Sequence, residues 1–172
     1  MESTGTKIMR VGILSDTHLY AAEQLFVRQC DIAFSRCDTI IHAGDLVDVT
    51  LLNAFKGKTV HAVYGNMCNG TTRKILPEEK QIVLAGYSIA ITHGAGPRHN
   101  IEERVFEQFP AADCIIFGHT HKAFCQLYGR TLLVNPGSFQ GTGKYGAAGT
   151  YAILHIDKNG LNASIHSLPD QL

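Results

Sequence analysis

The residues able to do chemistry fall in five short phrases: Asp16-Thr17-His18, Gly44-Asp45, Gly65-Asn66, His93-Gly94 and Gly118-His119-Thr120-His121. Together Asp16, His18, Asp45, Asn66, His93, His119 and His121 supply two carboxylates, four imidazoles and one carboxamide. Such a mixture of nitrogen and hard oxygen donors suits Mn, Fe, Zn, Ni or Co better than Ca or Mg alone. Seven donors exceed what one tetrahedral ion takes, and suffice for two ions that share a bridging carboxylate about 3.5–4 Å apart. His119 and His121 stand two apart, so on an extended segment they point the same way and can address neighbouring ions.

Taken singly, each phrase is weak, because an acid or a glycine after a strand is commonly a turn or cap residue. Their joint meaning depends on the elements that carry them. Arg10 to Leu14, Asp38 to Ala43 and Val60 to Tyr64 are short apolar runs, each ending in a polar phrase, and they predict buried strands. Phe26, Cys30, Ala33 and Cys37 recur at helical spacing between Ala21 and Arg36, and Val49, Leu52 and Phe55 form a second stripe closed by Gly57. Strands separated by helices predict a parallel α/β sheet, whose ligands bind beyond the carboxyl ends of the strands. Every one of the five phrases stands at such an end.

The second part of the chain changes character. Gln81 to Ala85 and Ser88 to Thr92 flank Gly86-Tyr87 as a hairpin, and Ile101, Val105 and Phe109 mark a helix stopped by Pro110. Cys114 to Phe117 is a further buried strand. Phe124 to Tyr128, Thr131 to Val134, Tyr151 to Ile156 and Leu161 to His166 predict an antiparallel meander. The expected fold class is α/β, with the two halves forming two stacked mixed β-sheets flanked by helices, an α/β/β/α sandwich.

Composition narrows the function classes. With 172 residues, 45% of them hydrophobic, the chain can build one core, so a single domain over residues 1–172 is expected, residues 1–8 being a flexible leader. Fifteen basic and fifteen acidic residues cancel, which removes the electrostatic case for a nucleic-acid or anionic-membrane partner. Met1 to Arg10 lacks the apolar core of a signal peptide and no run approaches the roughly 18 apolar residues that span a bilayer, so a soluble, unexported protein is expected. The five cysteines form no CxxC and cannot all pair, which fits a reducing cytoplasm. Nine histidines in so small a neutral chain stand out, four of them in the five phrases.

The phrases, in this order, resemble those of the calcineurin-like metallophosphoesterases, within them the small single-domain phosphodiesterases of the bacterial and archaeal type. The similarity extends to Ile13-Leu14-Ser15-Asp16-Thr17-His18 and Asn135-Pro136-Gly137-Ser138, and covers nearly the whole chain. It implies that Asp16, His18 and His121 hold one metal, that Asn66, His93 and His119 hold the second, and that Asp45 bridges them. It implies two divalent ions, Mn²⁺ foremost, with Ni²⁺, Fe²⁺, Co²⁺ or Zn²⁺ as alternatives. It also implies a metal-bridging hydroxide attacking phosphorus in line, with Asn66 and His93 orienting the phosphoryl oxygens. The expected substrate is a small phosphodiester, or else a monoester, and a homo-oligomer is compatible with all of this. The alternative is a non-catalytic scaffold of the same fold, similar to the retromer subunit, a branch that has lost part of the ligand set.

Two positions depart from the family pattern. After Gly65-Asn66, where many members carry a His that serves as general acid, this chain has Met67 and Cys68. Leaving-group protonation then falls to water or another side chain, which favours low-pKa leaving groups. Cys68 is read as a loop cysteine before a reactive thiol. After His93, Ala95 replaces a second His, and Arg98 and His99 follow as candidate substrate contacts. His42 is expected to orient a ligand rather than to be one. His61, His155 and His166 carry no assigned function. Gly141 to Gly149 is expected to be a mobile loop near the site mouth, and Asn135 to Ser138 a structural support.

Overall fold

A computed structural model describes residues 8–141 and 147–169. The expected leader, apart from Ile8, and residues 142–146 of the glycine-rich loop lie outside the described residues. The first strand, β1 (Met9–Leu14), leads to α1 (Gln24–Ala33), β2 (Thr39–His42), a 3₁₀ helix (Val49–Phe55), β3 (Thr59–Ala62) and α2 (Gly70–Ile75). There follow β4 (Glu79–Leu84), β5 (Tyr87–Thr92), α3 (Ile101–Gln108), β6 (Cys114–Ile116), β7 (Ala123–Tyr128), β8 (Thr131–Pro136), β9 (Thr150–Asp157) and β10 (Gly160–Ser167).

Two five-stranded sheets result, ordered β10-β9-β1-β2-β3 and β4-β5-β6-β8-β7. In the first, β1, β2 and β3 are parallel, as their apolar runs predict; in the second, β5, β6 and β8 are parallel. Strands β2, β6 and β8 are buried on both faces, as central strands of covered sheets must be. The inner faces meet through Val11, Ile13, Ile41, Ile91, Ile116 and Val134, while α1 packs Phe26 and Cys30 on the outside of the first sheet. Ile101 and Val105 of α3 cover the outside of the second. The four layers are those of the α/β/β/α sandwich.

The expected meander does not form. β7 and β8 make an antiparallel hairpin, but β8 runs parallel to β6, and the β9–β10 hairpin crosses to the first sheet, where β9 lies antiparallel to β1. The sheets therefore do not divide the chain into halves. Period-two alternation marks a strand and its faces; it says nothing about which sheet receives it. The crossing is made after β8, where the Phe139 amide donates to the Ser15 carbonyl and the Thr150 amide to the Ser138 carbonyl. The stripe at Val49 to Phe55 is 3₁₀ rather than α-helical, and α1 starts at Gln24 instead of Ala21. The β4–β5 turn has Ala85 and Gly86 both at positive φ, the geometry of a two-residue hairpin loop.

Candidate metal centre

The five phrases converge above the carboxyl ends of β1, β2, β3, β5 and β6, and the backbone itself joins them. The Asp16 amide donates to the Gly44 carbonyl and the His18 amide to the Asp45 carbonyl, closing the loops after β1 and β2 on one another. The Gly118 amide donates to the His93 carbonyl, and the His119 amide to Oδ2 of Asp16. Gly65 is required for space, because a Cβ there would run into Oδ1 and the backbone nitrogen of Asp45. The turn at Asn135 to Ser138 supports both sides: Asn135 Nδ2 donates to the Gly118 carbonyl at 2.8 Å and to Thr120 Oγ1 at 3.1 Å, and its Oδ1 accepts from the Gly137 amide.

Holding these loops costs backbone strain. Among the described residues, seven that are not glycine have positive φ, and five of them are Asp16, His18, Asp45, His119 and His121. Left-handed backbone is unfavourable for residues with a Cβ, and its concentration on five candidate ligands marks a place where function sets the conformation.

Side chains form two groups whose donor atoms all lie within 4.8 Å of one another: Asp16 with His18 and His121, and Asp16 with Asp45 and His93. Oδ1 of Asp16 lies 3.2 Å from His121 Nε2 and 3.9 Å from both His18 Nε2 and His93 Nε2. His18 Nε2 and His121 Nε2 face each other at 3.3 Å, and His93 Nε2 lies 3.1 Å from Asp45 Oδ2. The first group matches the set that the resemblance assigns to one ion. In the second, Asp45 and His93 meet as implied, and the carboxylate common to both groups is Asp16, where the resemblance assigns the bridge to Asp45.

The remaining candidates divide. His119 packs its ring against that of His93, centroids 5.2 Å apart, and its Nε2–H donates to the Gly96 carbonyl at 2.8 Å. Exposed Asn66 borders a cavity of about 170 Å³ that Tyr64, Arg73, Glu78 and His93 also line. Arg98 and His99 are exposed on the loop before α3. His42, wholly buried, accepts from the Gly44 amide at Nδ1 and donates from Nε2 to Thr17 Oγ1, supporting two of the phrases from beneath as expected. Cys68 is a buried thiol that donates to the Leu46 carbonyl and accepts from the Gly65 amide, a loop-holding role.

Charge in this pocket is unbalanced by burial. For Asp16, burial pushes the carboxyl up, but the His121 contact, the nearby His93, Ser15 and the His121 charge outweigh it and hold the group below its usual range. Asp45 follows the same pattern, with His93 and the Met67 amide outweighing burial. Burial pulls His18 down, and takes His42 to about 3, so His42 is neutral. His93 is raised, because Asp45, Asp16 and the Ala43 carbonyl overcome the burial that would lower it.

A metal fits this donor set. Asp16 Oδ1 and His93 Nε2 are buried without a hydrogen-bond partner, and His93 Nδ1–H is committed to the Ala43 carbonyl at 2.8 Å, which leaves Nε2 as the free donor. A backbone carbonyl that fixes one ring nitrogen and presents the other is the usual support of a metal-ligating imidazole. Sequence reasoning passed over Arg73, whose Nε donates to the Cys68 carbonyl at 3.0 Å and whose Nη2 donates to the Asn66 carbonyl, and over Arg104. Both act on backbone carbonyls, which leave no motif.

Residues 9–159 match the sequence model of the calcineurin-like phosphoesterase superfamily domain. A probable metallophosphoesterase of Methanocaldococcus jannaschii is 34% identical over 134 residues, 76% of this chain and 68% of that protein. A phosphodiesterase of the same organism is 25% identical over 144 residues, 75% of this chain and 83% of its own. Among solved structures, a predicted phosphoesterase of Streptococcus pneumoniae superposes with a TM-score of 0.71 at 23% identity, over 95% of this chain and 91% of that one. Vps29 of Entamoeba histolytica complexed with Zn²⁺ shares the fold, with a TM-score of 0.64 at 21% identity over 92% of this chain and 99% of its own.

Proposed function

Because the chain belongs to the calcineurin-like phosphoesterase superfamily, we propose that it is a dinuclear metal-dependent phosphodiesterase. The observation that carries this is the pair of buried donor atoms, Asp16 Oδ1 and His93 Nε2, each without a well-aligned hydrogen bond and each facing another candidate ligand, at the centre of two adjoining ligand groups. Asp16, His18 and His121 would hold one divalent ion, Asn66, His93 and His119 the other, and Asp45 both. Bound there, the ions supply Lewis acidity, activating water and neutralising charge that builds on the phosphoryl oxygens.

The chain's own residues do the rest. Asn66, on the cavity side, and His93 orient the phosphoryl group toward the ligand cluster. Neither side chain directly after Asn66 is available to protonate the leaving group, since Met67 has no acidic proton and the Cys68 hydrogen is committed to the Leu46 carbonyl. Protonation therefore falls to water or another side chain, which favours esters of acidic alcohols. The five cysteines are all free thiols, which supports a reducing, cytoplasmic setting. Among the described residues no helix is long and apolar enough to cross a membrane.

The test is hydrolysis of an aryl phosphodiester by purified protein supplied with Mn²⁺. Chelator is expected to abolish turnover, and Asp45→Asn to lower it by more than about 100-fold, since even outer-shell partners of a metal site cost 10–100-fold. Turnover that survives chelation, or an unimpaired Asp45→Asn variant, overturns the reading. Two bound ions with no turnover on any phosphoester favour the scaffold instead.

A further inference from the structure

We propose that Arg104 is a positioning residue for His119: by gathering the carbonyls of residues 94–97 it aims the Gly96 carbonyl at the ring and thereby decides which imidazole nitrogen is offered to a metal. The metal part of this inference rests on the proposed function; the ring orientation does not.

Arg104 stands in the first turn of α3, where Nη2 donates to the carbonyls of Gly94 and Pro97, both at 2.9 Å, and Nη1 donates to that of Ala95 at 3.1 Å. Of four consecutive carbonyls, three are turned onto one guanidinium. The fourth, that of Gly96, faces the other way and accepts from His119 Nε2 at 2.8 Å. This reversal needs glycine, since Gly96 has φ +118°. Its missing Cβ also matters little for space, as the guanidinium lies 3.8 Å from where one would stand.

A planar cation with several fixed N–H groups can serve three carbonyls at once; a lysine ammonium, a single point charge, cannot hold them in the same plane. Among the described residues Arg104 has no carboxylate partner, so its head is given wholly to this loop. His119 is 8% exposed and confined by the His93 ring, so the nitrogen it presents is set by what the other one binds. With Nε2–H donated, Nδ1 carries the only free lone pair. His93 shows the opposite choice, Nδ1–H donated to a carbonyl and Nε2 turned to the carboxylates, 3.1 Å from Asp45 Oδ2. The two imidazoles, packed edge to face, thus present different nitrogens, each selected by a backbone carbonyl.

The test compares wild type, Arg104→Gln, Arg104→Lys and Gly96→Ala. In the chelated full-length protein, ring ¹⁵N shifts of His119 are expected to report the Nε2–H tautomer in wild type and a mixture in Arg104→Gln. Calorimetric titration with Mn²⁺ is expected to show one of two dissociation constants raised 10–100-fold in Arg104→Gln, the other unchanged, with Arg104→Lys affected less. Gly96→Ala, which breaks the same link from the other side, is expected to give the same one-site loss. An unchanged tautomer with unchanged Mn²⁺ affinities overturns the proposal. So does an equal loss at both ions together with a lower melting temperature, the mark of a merely structural arginine. Wild-type protein that binds no metal or hydrolyses no ester defeats the proposed function, while the tautomer comparison still decides the role of Arg104.

Discussion

Ser138 Oγ donates to the backbone carbonyl of Asp16 at 3.0 Å, joining residues 122 positions apart and tying the crossover after β8 to the carboxylate that both ligand groups share. Both partners are buried. Ser138→Ala leaves that carbonyl without its donor, at a cost of about 1–3 kcal/mol. A urea titration is expected to show the lower midpoint with an unchanged slope, and Mn²⁺ affinity is expected to weaken with it.

Without metal, stability is expected to depend on pH through His93 and Asp45. Burial would lower His93 from its usual 6.5, but Asp45, Asp16 and the Ala43 carbonyl raise it, so its contribution is fully present below 6.5 and lost as pH rises through the raised value. Burial would raise Asp45 from 3.8, but the His93 contact and the Met67 amide lower it, so its contribution is present above 3.8 and lost as pH falls through the lowered value. The contribution of this pair, read by thermal melting of the chelated protein as the difference between wild type and His93→Gln, is therefore greatest between those two pH values, while buried His42, lowered to about 3, takes stability from both proteins as pH falls below 6.5. In His93→Gln the loss on the alkaline side disappears.

Gly65→Ala is expected to damage the centre while changing no ligand. The added methyl would meet Oδ1, Cγ and the backbone nitrogen of Asp45, and overpacking of this kind costs about 1–3 kcal/mol. Because the displaced group is the carboxylate itself, Mn²⁺ binding measured by calorimetry should fall more steeply than the melting temperature.

Cys68 is expected to resist thiol reagents. It is 6% exposed, and burial pushes its thiol up, with the Gly65 amide only partly opposing this. A chromogenic disulfide at pH 8 should leave Cys68 unlabelled in folded protein and label it in urea. Cys68→Ser, which keeps a donor for the Leu46 carbonyl, should alter turnover by less than about tenfold, the equivalent of 1.4 kcal/mol.

Much of this site is legible in the amino-acid sequence. Asp16, Asp45 and His93 could be placed together because β1, β2 and β5 are apolar runs long enough to recognise, each stopping abruptly at a polar phrase, and the α/β topology forces such ends to one side. What escaped has physical reasons. α2 spans only six residues, too few for a period to show, and its start depends on the Asn69 side chain accepting from the Thr72 amide. The placement of β9 and β10 depends on the neighbour they find, which alternation within a strand does not encode. Arg73 and Arg104 work through carbonyls that any residue possesses, so only the folded loop reveals their targets.

The position of β9 has a consequence for the making of the molecule. β1, which ends at the shared carboxylate, is flanked by β2 on one side and by β9 on the other. A chain emerging from the ribosome at 5–20 residues per second must therefore wait on the order of ten seconds, with one side of β1 open, before the strand that closes it is made. An open strand edge invites pairing with other chains. Slower translation or lower temperature during expression lengthens that exposure, so yield of soluble protein should depend on synthesis rate even where the finished fold is stable.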